Sequence, residues 1–490
     1  MTGQVRAPSI DRKDLRWFNV EKPISLNVLR GRLVILDFWT FCCINCMHVL
    51  PTLAAVEDRF PEDVAVIGVH SPKFKAERDP ANVELAIARY GIRHPVIHDP
   101  DMTLWHEYAV RAWPTLVFID PWGYVLGQVA GEPDRDKLIG GIEEMLADFR
   151  ADGTLKPAHL PLTAPKTAGG RLSFPGKIKP VPGTPKRWAI ADAGHHQVVV
   201  IGDDGKELAR FGSGAADFAD GIGKEAAFNA PQGLVATAGT IFIADTGNHR
   251  IRRIDLARGA VDTLAGTGER GRGLPKAGSD DARTVSLASP WDLEISGNRL
   301  FFANAGTHQL GEIDLKGGTV RLLAGSGAED VIDGRAFDAR LAQPSGLALS
   351  PDGMALYFAD SETSAARVLR LDGAPRVETL IGRGLFDFGH ENGPFATAKL
   401  QHPLGVAWSP TGLIVADSYN GRLRRLDLVD QTAEDVGETE FDCEGGVCYP
   451  SGEPAGVWAD GPDRLLVADT NNHRIVEVLP RARTVRTFFA

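Results

Sequence analysis

The sequence predicts a multidomain protein of 490 residues: an α/β domain over residues 1–150, a linker over 151–170, and an all-β six-bladed β-propeller over 171–490. Three observations carry this. An apolar run, Leu33-Val34-Ile35-Leu36-Asp37-Phe38-Trp39, leads directly to Cys43-Ile44-Asn45-Cys46 and a helical pattern. A short motif beginning Ala-Asp recurs through the second part at intervals of about 52 to 59 residues. The composition, 43% hydrophobic with 54 glycines, suits two core-forming domains, one of them rich in turns.

In the first domain the apolar run reads as a buried strand. Cys43 and Cys46, three residues apart at the start of the next helix, lie on one helix face. A cysteine there has its thiolate stabilised by free amide N–H groups and by the positive end of the helix dipole. The spacing therefore predicts a redox-active dithiol. Asp37 precedes Cys43 by six residues in an otherwise apolar strand, so its carboxyl should be buried near the sulfurs, raised in pKa and able to pass protons. Pro51 should kink the helix. Strands follow over 64–70 and 95–98, with helices over 80–90 and 101–109. Then comes Ala112-Trp113-Pro114-Thr115-Leu116-Val117-Phe118-Ile119-Asp120, a strand opening on a proline at which a cis peptide is expected.

This order of features over about 30–150 resembles the thioredoxin superfamily, in the branch containing membrane-anchored thioredoxin-like reductases and peroxiredoxins. The chain departs from that pattern at Cys42, which stands where the family usually has tryptophan. The resemblance implies thiol–disulfide exchange: Cys43 attacks a substrate disulfide, Cys46 resolves the mixed disulfide, Asp37 moves the proton, and Pro114 shapes the groove holding the substrate backbone. Three other readings are weaker. Zinc normally takes a second ligand pair, and none lies nearby at finger-like spacing. A thiol peroxidase is suggested by Thr40, three residues before Cys43, but Leu36 stands where that pattern has proline. A non-catalytic scaffold would keep the domain for binding alone.

After residue 170 the repeat governs. Ala191-Asp192-Ala193-Gly194-His195-His196-Gln197-Val198 aligns with Ala244-Asp245-Thr246-Gly247-Asn248-His249-Arg250-Ile251, with Ala303-Asn304-Ala305-Gly306-Thr307-His308-Gln309-Leu310 and with Ala468-Asp469-Thr470-Asn471-Asn472-His473-Arg474-Ile475. Degenerate copies begin at Ala359-Asp360 and Ala416-Asp417. Each copy has a Pro-x-Gly strand entry (Pro231-Gln232-Gly233), a strand (241–244), a turn, a strand (250–254) and a fourth strand ending in glycine (Gly266). Four short strands at this period make a propeller blade. All six blades are expected to keep their own strands, with Arg171 to Phe174 as the segment that could exchange.

These motifs resemble NHL repeats, so the propeller is expected to be NHL-type. The whole arrangement resembles the NHL-repeat-containing protein 2 family. Animal members carry a further β-rich domain after the propeller, so a chain ending at Ala490 is expected to be the bacterial short form. Because His195, His249, His308 and His473 recur in every-blade motifs, they are read as structural groups packing between blades rather than as ligands. The long connections 266–290 and 382–403 should build one face of the disc. Two further cysteines sit in Cys443-Glu444-Gly445-Gly446-Val447-Cys448, where a disulfide is permitted. With Cys42 they are accessory thiols, either an isolated pair or one that exchanges with Cys43 and Cys46.

The net charge of −11 divides into −4 over 1–150 (17 Lys and Arg against 21 Asp and Glu) and −7 over the rest, so neither part is a basic nucleic-acid platform. The N-terminus lacks the apolar stretch of a signal peptide, and no segment is long enough to span a bilayer. The expectation is a cytoplasmic thiol–disulfide oxidoreductase without metal or other cofactor. Its substrate is a protein or peptide disulfide, and a protein partner is recruited on the propeller face or in an interdomain cleft. Neither nucleic acid nor membrane is an expected partner. The proline-rich linker should be stiff.

Overall fold

The computed structural model describes residues 5–164, 170–279, 281–436, 442–443 and 452–490. The chain divides into two units, Met1–Ala168 and Gly169–Ala490.

The first unit contains β1 (Val5–Arg6), β2 (Arg16–Phe18), β3 (Leu33–Trp39), α1 (Ile44–Arg59), β4 (Val64–His70), α2 (Pro80–Arg89), β5 (Val96–His98), α3 (Thr103–Glu107), β6 (Thr115–Ile119), β7 (Tyr124–Ala130) and α4 (Arg135–Ala151). They form one sheet in the order β1-β7-β6-β3-β4-β5-β2. β3 lies at its centre, parallel to β4 and antiparallel to β6. It is apolar on both sides because both faces are covered. Val34, Leu36 and Phe38 enter one core, while Leu33 and Ile35 enter another with Val49, Leu53 and Val56 of α1.

Local sequence explains the helix starts. α2 begins at Pro80 behind Asp79, whose carboxylate accepts from Ala81 N, and Asp134 caps α4 by accepting from Lys137 N. The expected helix over 101–109 is shorter, because Met102 is left-handed at φ 58° and Asp99 caps the turn that follows by accepting from Thr103, Leu104 and Trp105 N–H. Residues 155–163, in the stretch read as linker, are held on the first unit: Lys156 N donates to Gly31 O, Ala158 N to Glu62 O and Thr163 N to Asn19 O.

The second unit is a six-bladed β-propeller in which each blade has four antiparallel strands, extended in the second, fourth, fifth and sixth blades by a two-residue outer strand that in the sixth pairs parallel. Its inner strands are Pro175–Val181, Gly233–Ala236, Pro290–Ser296, Pro344–Leu349, Gly405–Ser409 and Pro454–Ala459; each neighbours the next, and the last neighbours the first. The glycine of the strand entry explains this approach. A Cβ at Gly176 would strike Gln232 O, one at Gly233 would strike Trp291 O, and one at Gly456 would strike Gly176 O. In the third blade Asp292 takes the glycine's place, and its Oδ2 accepts from Leu347 N of the fourth blade at 2.9 Å.

Each blade keeps its own four strands, and Arg171 to Phe174 form none of them. Closure of the ring repeats the contacts of the other seams. Thr470 Oγ1 donates to Pro175 O at 2.7 Å, as Thr246 Oγ1 does to Pro290 O at 2.6 Å. The motif histidines sit in the left-handed region, and their Nδ1 accepts from the following blade's backbone: His249 from Ser289 N (3.0 Å), His308 from Gln343 N (3.0 Å) and His473 from Phe174 N (3.1 Å). One assignment needs correcting. In the first blade this role belongs to His196, which accepts from Ala230 N, whereas His195 bonds Asp192 Oδ2 within its own turn. His195 occupies the register of Asn248, which bonds Asp245 in the same way.

Candidate active site

The site is built where β3 ends. The chain turns through Thr40 to Cys42, Cys43 caps α1 in an extended conformation (φ −82°, ψ 117°), and its carbonyl accepts from Cys46 N at 3.1 Å and Met47 N at 3.2 Å. Cys43 is half-buried and Cys46 is 1% exposed. One sulfur of the pair therefore reaches solvent at a helix N-terminus and the other lies behind it. Cys42, Cys43 and Cys46 are all in the thiol form. Burial first, and then its hydrogen bond to and the charge of Cys43, push the Cys46 thiol well above the usual range. α1 continues through Pro51 to Arg59.

Asp37 is 1% exposed, and neither carboxylate oxygen has a hydrogen-bond partner. Burial pushes its carboxyl up to about 7, opposed by His94. Its charge in turn raises the Cys46 thiol. The acid's charge thus favours the protonated form of the inner sulfur, while burial favours the protonated form of the acid itself.

Pro114 immediately precedes β6, and the Trp113–Pro114 peptide is cis. β6 runs antiparallel to β3 with Thr115 opposite Phe38, so Pro114 lies at the sheet edge from which the Cys43 turn emerges. Trp113 Nε1 donates to Ser71 O at 2.9 Å, fixing the indole beside the end of β4.

Cys42 is turned inward, 1% exposed, with its sulfur 3.8 Å from Thr40 Oγ1. The group that organises this turn is Glu77, fully buried. Its Oε1 accepts from Thr40 Oγ1 (2.6 Å) and Cys42 N (3.1 Å), and its Oε2 from Lys73 N and Phe74 N (2.9 Å each). Tyr90 Oη donates to Phe41 O at 3.1 Å, and the Phe41 ring stacks on His70. Sequence reasoning missed Glu77 and Tyr90, because both lie in the stretch between β4 and β5 and act over long sequence separations. Cys448 and the side chain of Cys443 lie outside the described residues; the Asp442–Cys443 backbone pairs parallel to Thr484–Val485. Among the described residues no cluster of three His, Cys, Asp or Glu side chains could hold a metal ion, and no helix is long and apolar enough to cross a membrane.

A thioredoxin-like family model matches residues 31–125, and an NHL repeat model matches 228–254. NHL repeat-containing protein 2 of Gallus gallus is 38% identical over 508 residues, covering 96% of this chain and 69% of the relative. The chain belongs to the NHL repeat-containing protein 2 family. The Homo sapiens member is 36% identical over 510 residues, covering 94% of this chain and 68% of its own length. A solved structure of a secreted Mycobacterium tuberculosis disulfide oxidoreductase is 24% identical over 25% of this chain and 89% of that one, with a TM-score of 0.22. The chain thus joins a thioredoxin-like domain to an NHL propeller.

Proposed function

We propose that this protein is a cytosolic thiol–disulfide oxidoreductase acting on a protein or peptide disulfide, with the propeller recruiting the protein partner. The observation that carries the reading is the asymmetry of the dithiol: Cys43 half-buried at the cap of α1, and Cys46 buried behind it, close enough to Asp37 to feel its charge.

Cys43, as thiolate, attacks one sulfur of the substrate disulfide. The Cys43–substrate bond forms, the substrate S–S bond breaks, and the departing thiolate takes a proton from water. Cys46 then gives its proton to Asp37 and attacks the Cys43 sulfur. The Cys43–Cys46 disulfide forms, the Cys43–substrate bond breaks, and the second substrate sulfur leaves as thiolate and takes a proton from water, so the substrate gains the two electrons the dithiol loses. Burial keeps Cys46 protonated until Asp37 takes the proton, which separates the two sulfurs' roles. Pro114 borders the groove on the same sheet edge, and Glu77 holds the turn carrying Cys43. Cys42 has no step in this sequence. The chemistry uses no cofactor beyond the dithiol.

The test is a redox titration of the full-length protein in glutathione buffers, with mass-spectrometric assignment of bridges and with Cys42→Ser, Cys43→Ser and Cys46→Ser alongside. A Cys43–Cys46 bridge that equilibrates reversibly, persists in Cys42→Ser and disappears in the other two is the expected result. No bridge among the three would overturn the reading and leave a binding scaffold.

A further inference from the structure

The exchange step leaves a proton on Asp37, deep in the first unit, and the structure shows where it can go. Asp37 projects from β3 on the face covered by α1, two residues before Trp39 on the same face. Directly opposite in the parallel register stands Gly68 of β4. Lacking a side chain, Gly68 leaves space that other groups border: a Cβ there would lie 3.0 Å from Trp39 Nε1 and 3.3 Å from His94 Nε2. Four polar atoms converge on this region without hydrogen-bond partners: both oxygens of Asp37, Trp39 Nε1 and His94 Nε2. Buried polar groups are ordinarily bonded, so such a concentration beside a dithiol marks a place where protons or transient hydrogen bonds pass.

His94 is rigidly presented there. Asn19 Nδ2 donates to its carbonyl at 2.9 Å, and Gly68 N donates to the adjacent Pro95 O at 2.9 Å. Its other nitrogen, Nδ1, lies 3.4 Å from Glu57 Oε2 on α1; the imidazole is 4% exposed, whereas the Glu57 side chain is 18% exposed. The imidazole therefore spans from the buried acid to a carboxylate that meets water. Imidazole suits this position because it accepts a proton on one nitrogen while releasing one from the other.

We propose that His94 and Glu57 form the proton exit of the dithiol site, relaying to solvent the proton that Asp37 takes from Cys46. This rests on the exchange reading above. The transfer runs from Cys46 Sγ to the Asp37 carboxylate, then to His94 Nε2, with the Nδ1 proton passing to Glu57 and on to water. No electrons move beyond those of the disulfide step, and in the reductive direction the same path runs inward. The titratable groups set against Asp37 are Cys46 from the start of α1 and His94 from the segment before β5; β6 offers Leu116 and Phe118 on this face. His94 and Glu57 are positioning and relay residues that touch no substrate.

The experiment is stopped-flow reaction of the reduced full-length chain with the chromogenic disulfide of thionitrobenzoate, from pH 5 to 10. A first equivalent of thionitrobenzoate reports attack by Cys43, and a second reports resolution by Cys46. His94→Gln and Glu57→Gln should leave the first phase unchanged and slow the second at least tenfold between pH 6 and 7.5. They should converge on wild type, within about threefold, above pH 9.5, where hydroxide removes the proton directly. Gly68→Ala, which crowds the imidazole and the indole, should behave like His94→Gln. Near-UV circular dichroism establishes that each variant is folded; a merely structural defect would lower both phases at every pH. If wild type shows no second phase dependent on Cys46, the exchange reading fails. If that phase is present but His94→Gln and Glu57→Gln match wild type across the pH range, the relay alone is overturned.

Discussion

Replacing Asp37 by asparagine should stabilise the first unit at neutral pH while slowing resolution of the mixed disulfide. The folded carboxyl stands at about 7 against 3.8 for an ordinary aspartate. Between those two pH values the folded state holds a proton that the unfolded state has released. Stability therefore falls as pH rises through the window and levels off above it. Three powers of ten in proton affinity, at about 1.4 kcal/mol each, make the loss about 4 kcal/mol on going from below pH 4 to above pH 7. The variant removes that loss but keeps a buried, unpartnered amide, whose burial costs about 1–3 kcal/mol at every pH. The pH-dependent part is thus separable. Relative to wild type, whose neutral carboxyl is buried and unpartnered just as the amide is, Asp37→Asn should gain about 4 kcal/mol between pH 4 and pH 8. The assay is urea unfolding of the reduced full-length chain at pH 4, 5.5, 7 and 8, with hydrogen-exchange pulse labelling of Leu33 to Trp39 to read the first unit apart from the propeller. A stability difference that stays constant across this range would refute the assignment of Asp37 as a buried carboxyl ionising near neutrality.

Three further outcomes follow from named contacts. Glu77→Ala removes the acceptor of the Thr40 hydroxyl and three backbone N–H groups, so stability should fall by about 3 kcal/mol or more, and Cys42, buried in the native protein, should become alkylated by iodoacetamide; an unchanged melting temperature with Cys42 still protected would contradict this. Arg367→Met strands the Asp360 carboxylate, which it meets at 2.8 Å with both side chains fully buried, and should cost about 3–5 kcal/mol, more than half of it recovered by adding Asp360→Asn; calorimetry of the single and double variants decides. His249→Phe, which loses the bond from Ser289 N, should destabilise the propeller by about 1–3 kcal/mol, whereas His195→Ala, whose half-buried side chain bonds within its own turn, should cost under about 1 kcal/mol; equal losses would undo the register correction.

What the sequence reveals and what it hides divide along sequence separation. Cys43 and Cys46 are legible because two cysteines three residues apart at a strand-to-helix junction put one at the cap and one in the first turn, and Asp37 because an acid interrupts an apolar strand six residues earlier. The blades are legible because each repeats its turn chemistry every fifty-odd residues. Glu77 is not, since a glutamate in an irregular stretch looks solvent-facing until the turn at Thr40 and Cys42 closes on it. His94 and Glu57 lie 37 positions apart and belong to a loop and a helix edge, and only folding reveals that Gly68 leaves the two groups their space. The His195 assignment had a simpler cause: two adjacent histidines compete for one motif position, and the one that is left-handed takes it.

A pattern within the blades bears on which buried acid does chemistry. The second, fourth and fifth blades each place an arginine seven residues after the motif aspartate. Arg252 meets Asp245, Arg367 meets Asp360 and Arg424 meets Asp417, at 2.8 to 3.0 Å with every one of these side chains fully buried. Where that arginine is missing, the charge is met otherwise. Arg210 Nη1 reaches Asp192 in the first blade, and Arg474 Nε reaches Asp469 in the sixth. In the third blade the seventh position is Gly311, and the aspartate itself has become Asn304, whose amide bonds Thr307. Carboxylate and guanidinium are kept or dropped together, as the cost of an uncompensated buried charge requires. The propeller's recurrent acids are therefore consumed in holding turns and seams. Asp37 is buried as deeply, yet it has neither a guanidinium nor a hydrogen bond to either oxygen. In the proposed exchange this uncompensated acid is the one whose proton moves, and the dithiol beside it is the group that gives one up.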